Sequence, residues 1–515
     1  MVASQGGRSG TVNPAGAVPL APVPDQLPPP RVLGAPAPGA ALSVAQRRLI
    51  TELLRVAPVV DELGARFAAS GHSLALVGGS VRDALLGRLG PDLDFATGAR
   101  PAQILDLLRG WADAWWEVGI AFGTVGARKG DLVVEVTAYR DEVYRRDSRK
   151  PEVTFGYTLE GDLRRRDLTV NAMAVTLPDK AFVDPFGGLD DLAAGVLRTP
   201  ARPQDSFDDD PLRMLRVARF AAQLGFAVEP SVVGAMTEMA ARIDIVSAER
   251  VRDELVKLVC SPRPRVGLAL LVETGLAAHV LPELPRLALE IDEHHRHKDV
   301  YEHTLTVLEQ AMALESSGGP GKPDLVLRLA ALMHDVGKPR TRRFEKDGGV
   351  SFHHHEVVGA KMTRARLQSL RFPNNVTEDV SRLVELHLRF HGYGTGTWTD
   401  AAVRRYVSDA GPLLDRLHKL TRSDSTTRNR RKAETLRRTY DDLEERIARL
   451  REQEELDSIR PDLDGSAIME ILGIPPGPVV GSAWRHLKEV RMEQGPLSHD
   501  DAVSELRRWW SNHPH

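Results

Sequence analysis

The sequence predicts an α+β head followed by a mostly helical body. Short apolar runs with strand-like character, among them "HSLALVGG" and "GDLVVEVTAYR", occur up to about Phe182. Beyond that point apolar side chains recur every three or four residues, which is the spacing of amphipathic helices. The 515 residues also exceed what one hydrophobic core usually holds, so several domains are expected.

Composition and helix-breaking stretches predict five segments. Residues 1–42 are rich in Pro, Gly and Ala, and they lack the large apolar side chains needed to offset the entropy of ordering, which predicts a disordered arm. We expect a head at residues 43–187, a helical neck at 188–285, a metal-binding domain at 286–430 and a helical tail at 431–515. The charged run from Arg428 to Arg460 is typical of a solvated helix or linker.

Charge and cysteine content exclude several classes of protein. The net charge of -3 means that any affinity for nucleic acid must come from local basic patches. A single cysteine, Cys260, rules out an internal disulfide framework. No apolar run is long enough to cross a bilayer, and no basic-then-apolar leader is found. We therefore expect a cytoplasmic enzyme with no membrane contact and no permanent protein partner.

A glycine pair ends the first apolar strand. Gly78 and Gly79 follow "HSLALV", and a helix follows in turn with Ser80 as its expected N-cap. Glycines let a ligand approach the backbone, and free amides at a helix start favour an anion such as a triphosphate. A tight turn without a ligand explains the pattern equally well, because neither the Walker nor the GxGxxG spacing is present.

The segment "DLDFAT" favours a metal site. Side chains two apart in a strand share a face, so Asp92 and Asp94 converge while the residues between and after them enter the core. Two adjacent carboxylates need a cation, and oxygen ligands of this kind suit Mg²⁺, which also binds substrate phosphates. Glu135, an acid on an otherwise β-branched strand, is the expected third carboxylate.

These motifs carry a family resemblance. In order, "LVGGSVRD...DLDFAT", "LRRRDLTVNAMA", "DPFGG", "DDPLRMLRVARFAAQLGF" and "SAERVRDEL" resemble the motifs of class II tRNA CCA-adding nucleotidyltransferases and their poly(A) polymerase relatives. The resemblance implies a polymerase-β-like head. It also implies catalytic, Mg²⁺-binding roles for Asp92, Asp94 and Glu135, and nucleotide-binding roles for Gly78, Gly79, Ser80 and Arg82.

The segment "DDDPLRMLRVARF" suggests how the enzyme selects bases. Read as one helix, it places Asp210 and Arg213 on the same side. An aspartate accepts hydrogen bonds and an arginine donates them. This pair matches the amino donor and the ring-nitrogen acceptor on the pairing edges of cytosine and adenine, whereas guanine and uracil present the reverse order. The resembling family has Glu where this chain has Asp209. Further nucleotide contacts are expected from Arg216 and Arg219. An ordinary amphipathic helix is the alternative.

Three other segments are candidates for contacts with nucleotide or RNA. In "RRRDLTVNAMA", Arg166, Asp167 and Asn171 resemble residues that contact ribose and phosphate. The stretch from Tyr139 to Leu163 resembles a mobile loop that switches C to A addition, or is a charged hairpin. The basic clusters Arg428 to Lys432 and "LRRTY" are candidates for tRNA phosphate contacts, although such runs are usually solvated helix faces.

A second constellation lies in the body. It resembles the HD-domain phosphohydrolases in the order of its ligands, which are His303, His334, Asp335, His355, His387 and Asp424. Imidazole and carboxylate ligands from several helices suit a divalent transition metal or a two-metal hydrolase. In "HDVGK", Gly337 is expected to end the helix. A metal-binding scaffold without turnover and buried structural histidines are the alternatives.

The leading hypothesis is CCA addition to the tRNA 3' end from CTP and ATP, with Mg²⁺ at the head and phosphohydrolase activity in the HD domain. The tail from "LDGSAIMEIL" onward resembles that of CCA-adding enzymes with an HD domain, and it is expected to bind tRNA. The alternatives are a CC-adding, an A-adding or a poly(A)-polymerising enzyme. From another class comes an HD phosphohydrolase whose head serves as an RNA-binding module.

Overall fold

The computed structural model describes residues 43–513 with internal gaps. The gaps are residues 118–122, 144–151, 156–157, 290–299, 316–320, 347–349, 391–392, 394–397, 426–429 and 455–459. The predicted disordered arm, 1–42, lies outside the described residues. The chain forms two compact units, Met1–Met239 and Ala240–His515, which are described separately.

A mixed sheet forms the centre of the first unit. Its seven strands follow the order β3-β4-β5-β2-β1-β8-β9, with β2 and β5 parallel and the other pairs antiparallel. The strands of this unit are β1 (Leu74–Val77), β2 (Asp92–Thr97), β3 (Ala114–Trp116), β4 (Thr124–Lys129), β5 (Leu132–Ala138), β6 (Arg140–Val143), β7 (Glu152–Phe155), β8 (Ala174–Leu177), β9 (Phe182–Val183), β10 (Val196–Leu197) and β11 (Ala227–Val228).

Helices pack against this sheet and follow it in the chain. They are α1 (Val44–Leu54), α2 (Ala57–Ala69), α3 (Gly79–Leu85), α4 (Pro101–Leu108), α5 (Leu159–Arg164), α6 (Gly188–Ala194), α7 (Pro203–Asp209), α8 (Leu212–Leu224) and α9 (Pro230–Met239). The helix side chains Leu63 and Phe67 pack with the strand residues Leu76, Leu93 and Val134 in one buried cluster. Burial of this apolar surface holds β2 and β5 in place.

The stretch between Tyr139 and Leu163 contains an antiparallel hairpin. Strands β6 and β7 pair from Arg140–Phe155 to Val143–Glu152. Residues 144–151 and 156–157 lie outside the described residues, so the role in switching from C to A addition stays a prediction.

The second unit is almost wholly helical, as expected. Its helices are α10 (Ala248–Val259), α11 (Pro264–Glu273), α12 (Ala277–Val280), α13 (Val300–Glu315), α14 (Leu325–Met333), α15 (Lys338–Thr341), α16 (His355–Ser369), α17 (Asn374–Leu386), α18 (Asp400–Ala410), α19 (Leu414–Asp424), α20 (Arg430–Glu454), α21 (Gly465–Leu472), α22 (Pro478–Gln494) and α23 (His499–Asn512). A short hairpin joins α15 to α16 through β12 (Arg343–Phe344) and β13 (Val350–Ser351).

Of the two predictions for the charged run, a solvated helix or a linker, the structure shows a helix, α20, which is packed on one side. Tyr440, Leu443, Ile447 and Leu450 are buried at three- and four-residue intervals. The charged side chains dominate the composition, but this apolar stripe packs the helix into its unit.

The last three helices enclose a small core of their own, which includes Ile468, Leu487 and Leu506. Helix α21 begins where Asp464 accepts a 2.8 Å hydrogen bond from the amide of Ala467, so this aspartate is the helix cap. In the described part of the chain, no helix is both long and apolar enough to span a bilayer.

Candidate active site and metal centre

Three carboxylates converge on one face of the head sheet. In β2, Asp92 and Asp94 are exposed while Leu93 and Phe95 are buried, which confirms the expected alternation. The parallel pairing of β2 with β5 sets Asp94 directly beside Glu135, which is also exposed. Residues paired across two strands point to the same face. The structure therefore brings together the three acids that the sequence singled out.

The electrostatics of these carboxylates favour a bound cation. Desolvation raises the pKa of Asp94, with Arg166 opposing and Asp92 adding to the rise. Desolvation and the charges of Asp94 and Asp92 likewise raise the pKa of Glu135. Like charges held this close disfavour full ionisation, and a divalent cation between them removes the repulsion. Their donor set, oxygen only, fits Mg²⁺.

The glycine turn lies beside these carboxylates. Gly78 has φ of 71°, and a Cβ atom there would lie 2.6 Å from a guanidinium nitrogen of Arg166. Only glycine meets both requirements without strain. Ser80 is not the helix cap that we expected, because α3 already begins at Gly79. Its hydroxyl instead accepts a 3.0 Å hydrogen bond from the amide of Asp94, which ties the turn to the carboxylate strand.

A buried chain of polar side chains supports the turn. Arg82 donates to Asn171, Asn171 donates to Asp167 over 2.9 Å, and Arg216 donates to the other oxygen of Asp167 over 2.8 Å. Burial raises the pKa of Asp167, but Arg216, Asn171 and Arg213 together outweigh burial and hold this pKa well below its ordinary range. Asp167 and Asn171 thus bind each other and two arginines, which supports a positioning role. Direct contact with ribose stays a prediction.

The interpretation of Asp210 and Arg213 as neighbours on one helix is wrong. Helix α7 ends at Asp209, Asp210 is extended with φ of -149°, and α8 begins at Leu212. Pro211 is the cause, since a residue before proline is driven out of the helical region. Asp210 accepts a 3.1 Å hydrogen bond from the amide of Leu212.

Arg213 is held separately from Asp210. Its guanidinium donates to the hydroxyl of Ser206 over 2.9 Å and to the carbonyl of Arg165. Recognition of bases by Asp210 and Arg213 therefore stays a prediction, and it no longer draws support from a shared helical face.

Sequence reasoning missed Phe220. This buried ring lies under three guanidinium groups, at centroid distances of 5.2 Å for Arg82, 5.7 Å for Arg216 and 3.8 Å for Arg219. Cation–π contacts of this kind hold arginines in fixed positions. A phenylalanine in an apolar helix gives no sequence signal for such a role, because the same residue type usually fills a core.

The basic clusters proposed for tRNA are only partly visible. Arg428 lies outside the described residues. In "LRRTY", Arg437 and Arg438 both pair with Glu434, over 3.0 and 3.3 Å. Their charge is thus partly compensated within α20, and phosphate contact by either cluster stays a prediction.

The second predicted constellation assembles completely. His303 lies on α13, His334 and Asp335 follow α14, His355 opens α16, His387 follows α17 and Asp424 ends α19. The donor atoms form two groups of three, and the atoms within each group lie within 4.8 Å of one another. One group is His303, His334 and Asp424, and the other is Asp335, His355 and His387. The exposed His353 and His354 belong to neither group. The "HHRH" segment, residues 294–297, lies outside the described residues.

Backbone contacts orient three of the imidazoles. The Nδ1 atoms of His334, His355 and His387 lie 2.8, 2.8 and 2.6 Å from the carbonyl oxygens three residues earlier. A carbonyl only accepts, so each Nδ1 donates and each Nε2 faces the cluster. These three Nε2 atoms are buried and make no hydrogen bond among the described residues, although those of His334 and His355 lie beside the carboxylate of Asp335. Buried imidazole nitrogens that make no hydrogen bond and share a carboxylate between them fit bound metal.

Asp335 connects the two groups. Its oxygens lie 3.1 Å from His334 Nε2 and 3.3 Å from His355 Nε2. Burial lowers the pKa of His334, but Asp335 and Asp424 outweigh burial and raise that pKa to about 10. Burial and the neighbouring His334 charge lower the pKa of His387 to about 3. Without metal, a proton on His334 neutralises the carboxylates, and a divalent cation can replace it.

Lys338 belongs to this centre, and sequence reasoning missed it. Its ammonium group is buried 2.9 Å from an oxygen of Asp335. Its position three residues after Asp335, one helical turn away, was the available signal.

Gly337 has a different role from the one expected. Helix α14 ends at Met333, and Gly337 has an ordinary φ of -77°. A Cβ atom at Gly337 would overlap the carbonyl oxygen of His355 and lie 2.7 Å from the amide nitrogen of Gly359. Gly337 therefore permits the close approach of α16, which carries His355 to the cluster.

Family models match three stretches of the chain. Residues 74–198 match the poly A polymerase head domain, and residues 225–287 match the probable RNA and SrmB-binding site of polymerase A. Residues 300–447 match the HD domain, a stretch that extends into α20.

Full-length relatives have closely related activities. The chain is 35% identical over 457 residues to an A-adding tRNA nucleotidyltransferase from Deinococcus radiodurans, with 85% of this chain and 96% of the relative covered. It is 34% identical over 450 residues to a CC-adding tRNA nucleotidyltransferase from Thermus thermophilus, with 84% and 93% covered.

The fold is that of a solved relative. A CCA-adding enzyme from Bacillus stearothermophilus in complex with CTP superimposes with a TM-score of 0.62 at 23% identity, covering 89% of this chain and 98% of that one. This similarity confirms the predicted fold class of a nucleotidyltransferase head with helical domains. With the full-length relatives, it shows that the chain belongs to the tRNA nucleotidyltransferase and poly(A) polymerase family and carries an HD domain.

Proposed function

We propose that this protein adds CCA to the 3' end of tRNA from CTP and ATP without a nucleic-acid template, in the cytoplasm. The observation that carries the proposal is the convergence of Asp92, Asp94 and Glu135 beside the glycine turn at Gly78. Relatives named as A-adding, CC-adding and CCA-adding enzymes share this kind of nucleotide addition. The family alone does not choose between full and partial addition.

The chain's own groups fit phosphoryl transfer. Arg82 and Arg166 flank the glycine turn, where their positive charge suits a triphosphate. The RNA 3'-hydroxyl oxygen bonds to the α-phosphorus, the bond to the bridging oxygen breaks, and pyrophosphate leaves. Asp92, Asp94 and Glu135 would hold the divalent cations, whose charge, when bound, stabilises the phosphate oxygens and lowers the pKa of the attacking hydroxyl.

Base choice is assigned to the start of α8. Asp210 and Arg213 offer an acceptor and a donor to the pairing edges of cytosine and adenine. In the described arrangement Arg213 donates to Ser206 and Arg165, so it must exchange these partners for a base. We therefore expect nucleotide binding to reposition Arg213.

The test is nucleotide addition on tRNA transcripts that end at the discriminator base, at C or at CC. Each transcript is incubated with Mg²⁺ and CTP, ATP or both, and products are resolved to single nucleotides. Addition that stops at CCA supports the proposal. A stop at CC, addition to the CC transcript alone, or a long A ladder identifies the CC-adding, A-adding or poly(A)-polymerising alternative. No addition to any transcript contradicts the proposal.

We also propose that the HD centre is a metal-dependent phosphohydrolase. The specific observation is the set of buried Nε2 atoms on His334, His355 and His387 that make no hydrogen bond among the described residues. With Asp335 between the two ligand groups, the centre suits two divalent ions, and Lys338 supplies a positive charge for a substrate phosphate. A scaffold without turnover is the competing interpretation.

Its test is hydrolysis of p-nitrophenyl phosphate and of 2',3'-cyclic nucleotides by protein loaded with Mn²⁺, Co²⁺ or Ni²⁺. Turnover that disappears in His334→Ala and persists in Asp92→Ala supports the assignment to this centre. Bound metal without turnover on either substrate supports the scaffold.

A further inference from the structure

A pocket lies on the outer side of α16, apart from the metal centre. It has a volume of about 400 Å³ and is lined mainly by Arg340, Lys361, Arg366, Glu283, Val358 and Met362. The helix face that contains Gly359, Thr363 and Leu367 is buried instead and follows on from His355. The pocket therefore uses a side of α16 that the metal ligands leave free.

The pocket lies in a basic stretch of the body. Residues 338–371 contain nine lysines and arginines against three acids, although the whole chain has a net charge of -3. Arg366 binds the buried Glu283 through contacts of 2.9 and 3.1 Å, so these two charges cancel. Arg340 and Lys361 are exposed and form no ion pair within the described part of the chain. Two uncompensated cations thus attract an anion to the rim.

Apart from Ser369, the remaining wall is apolar. Val358, Met362 and Ala365 lie four and three residues apart, which places them on one side of α16. A cavity of about 400 Å³ is in the range of small-ligand sites. Cations at the rim and an apolar wall inside match the two parts of a nucleotide, its phosphate and its base.

An exposed aromatic residue lies on the adjoining hairpin. Phe344 on β12 is 76% exposed, and the guanidinium of Arg342 lies 5.2 Å from its ring centroid. Such a ring costs free energy in water, and aromatic rings among basic side chains are the usual platforms for unpaired bases. Arg343 is exposed next to it.

We propose that the α16 pocket and Phe344 form a binding surface for single-stranded RNA. One unpaired base stacks on Phe344, and a nearby nucleotide enters the pocket with its phosphate between Arg340 and Lys361. A free nucleotide explains the pocket but not the exposed ring and the basic residues around it. An acidic protein partner would leave the apolar pocket unfilled. The inference rests on the proposed function only in taking RNA as the partner class.

The test uses the full-length protein and a fluorescein-labelled, unstructured 15-nucleotide RNA that contains photoreactive 4-thiouridine. We expect crosslinks to peptides within residues 338–371. Phe344→Ser should weaken binding by about 5- to 100-fold, the range for loss of one stacked base. The double variant Arg340→Glu with Lys361→Glu should weaken binding and reduce the slope of log affinity against log salt by about 1.4, the value for two lost contacts to a single strand. Ala365→Trp, which fills the pocket, should weaken binding without changing that slope.

Lys322→Glu is the matched control, since Lys322 is also an exposed lysine of this unit without an ion pair in the described part. We expect it to bind like the wild type. Absence of crosslinks in 338–371, or wild-type affinity in both Phe344→Ser and the double charge variant, overturns the inference. Tighter binding of AMP than of the 15-nucleotide RNA would assign the pocket to free nucleotide and also overturns it. Nucleotide addition is measured on the same preparations, so a wild type that crosslinks here without adding nucleotides contradicts only the proposed function.

Discussion

The two candidate metal sites of this chain gather their ligands in opposite ways. Asp92, Asp94 and Glu135 are exposed on one face of a sheet and come from neighbouring strands. In the HD centre, His334 and Asp335 have exposed fractions of 0% and 1%. The six ligands of the HD centre lie on, or directly after, five separate helices.

This difference predicts different relations between metal and protein. Exposed carboxylates hold Mg²⁺ with several waters still bound, so the substrate phosphates can complete the coordination. Buried imidazoles with fixed tautomers bind a transition metal firmly, and part of that binding free energy stabilises the fold. The head is therefore expected to bind metal with its substrate, and the HD centre to bind metal as part of its structure.

The largest effect is expected from Asp94→Ala. Loss of this carboxylate should lower nucleotide addition by about 10³-fold or more, because the divalent cations that would stabilise the transition-state phosphate lose a ligand. Thermal stability should not fall, because desolvation and Asp92 already disfavour the charged form of Asp94. Single-turnover addition and thermal unfolding provide the measurements.

Asp131→Ala is the matched control for Asp94→Ala, since Asp131 is exposed just before β5. It should retain wild-type addition. Equal loss of addition in the two variants would contradict the site assignment, and so would full addition by Asp94→Ala.

Removing metal from the HD centre should change the stability of the protein more than removing Mg²⁺ from the head. Stripping the HD centre with a strong chelator should destabilise the protein by about 4 kcal/mol if metal is normally present at about a thousand times its Kd. Adding or removing Mg²⁺ alone should leave stability nearly unchanged. Differential scanning calorimetry with elemental analysis measures both.

His334→Ala is the control for metal removal. In this variant the chelator should no longer shift the unfolding temperature. A chelator effect of the same size in the variant would show that the stabilising metal lies elsewhere.

The features that the sequence predicted well depend on short-range rules. Asp92 and Asp94 share a face because a strand has a period of two. The HD ligands were recognised by residue type and order, and each lies at a helix end or on an apolar helix. Both kinds of signal can be recognised in the sequence without knowledge of contacts between distant segments.

The features that the sequence did not predict depend on contacts between distant segments. Asp167 is bound by Arg216, 49 residues away, and Gly337 is required by the approach of α16. No local pattern marks either contact. Pro211 was a local signal of a helix break. The helical spacing of the surrounding apolar residues nevertheless led to the prediction of a single helix.

Gly337→Ala tests how tightly the HD centre is built. A Cβ atom there meets the backbone of α16, so we expect a loss of about 1–3 kcal/mol in unfolding free energy and weaker metal binding. Gly234→Ala is the control, since Gly234 lies in α9 with no atom within 4 Å of its would-be Cβ. It should stabilise by about 0.5–1 kcal/mol. Similar changes in the two variants would mean that α16 shifts easily to admit the methyl group.

The smallest effect concerns the buried support of the head. Arg216 and Asn171 lower the pKa of Asp167 despite its burial, so the ionised form stabilises the fold above the unfolded pKa of about 3.9. This contribution should disappear as the pH falls below about 4 through the folded pKa. Asp167→Asn should therefore cost about 1–2 kcal/mol at pH 7, since Arg216 is 33% exposed and solvent screens part of the pair.

Thermal unfolding of the wild type and Asp167→Asn between pH 7 and pH 2 checks this difference. The gap between their midpoints should be constant above pH 5 and should shrink below pH 4. Asp131→Asn, at an exposed position, is the control for the substitution itself. A gap that persists unchanged at pH 2 would mean that Asp167 acts through shape rather than charge. The charge of the buried carboxylate would then not stabilise the head. The arginines over Phe220 would have to be held in place by contacts other than that charge.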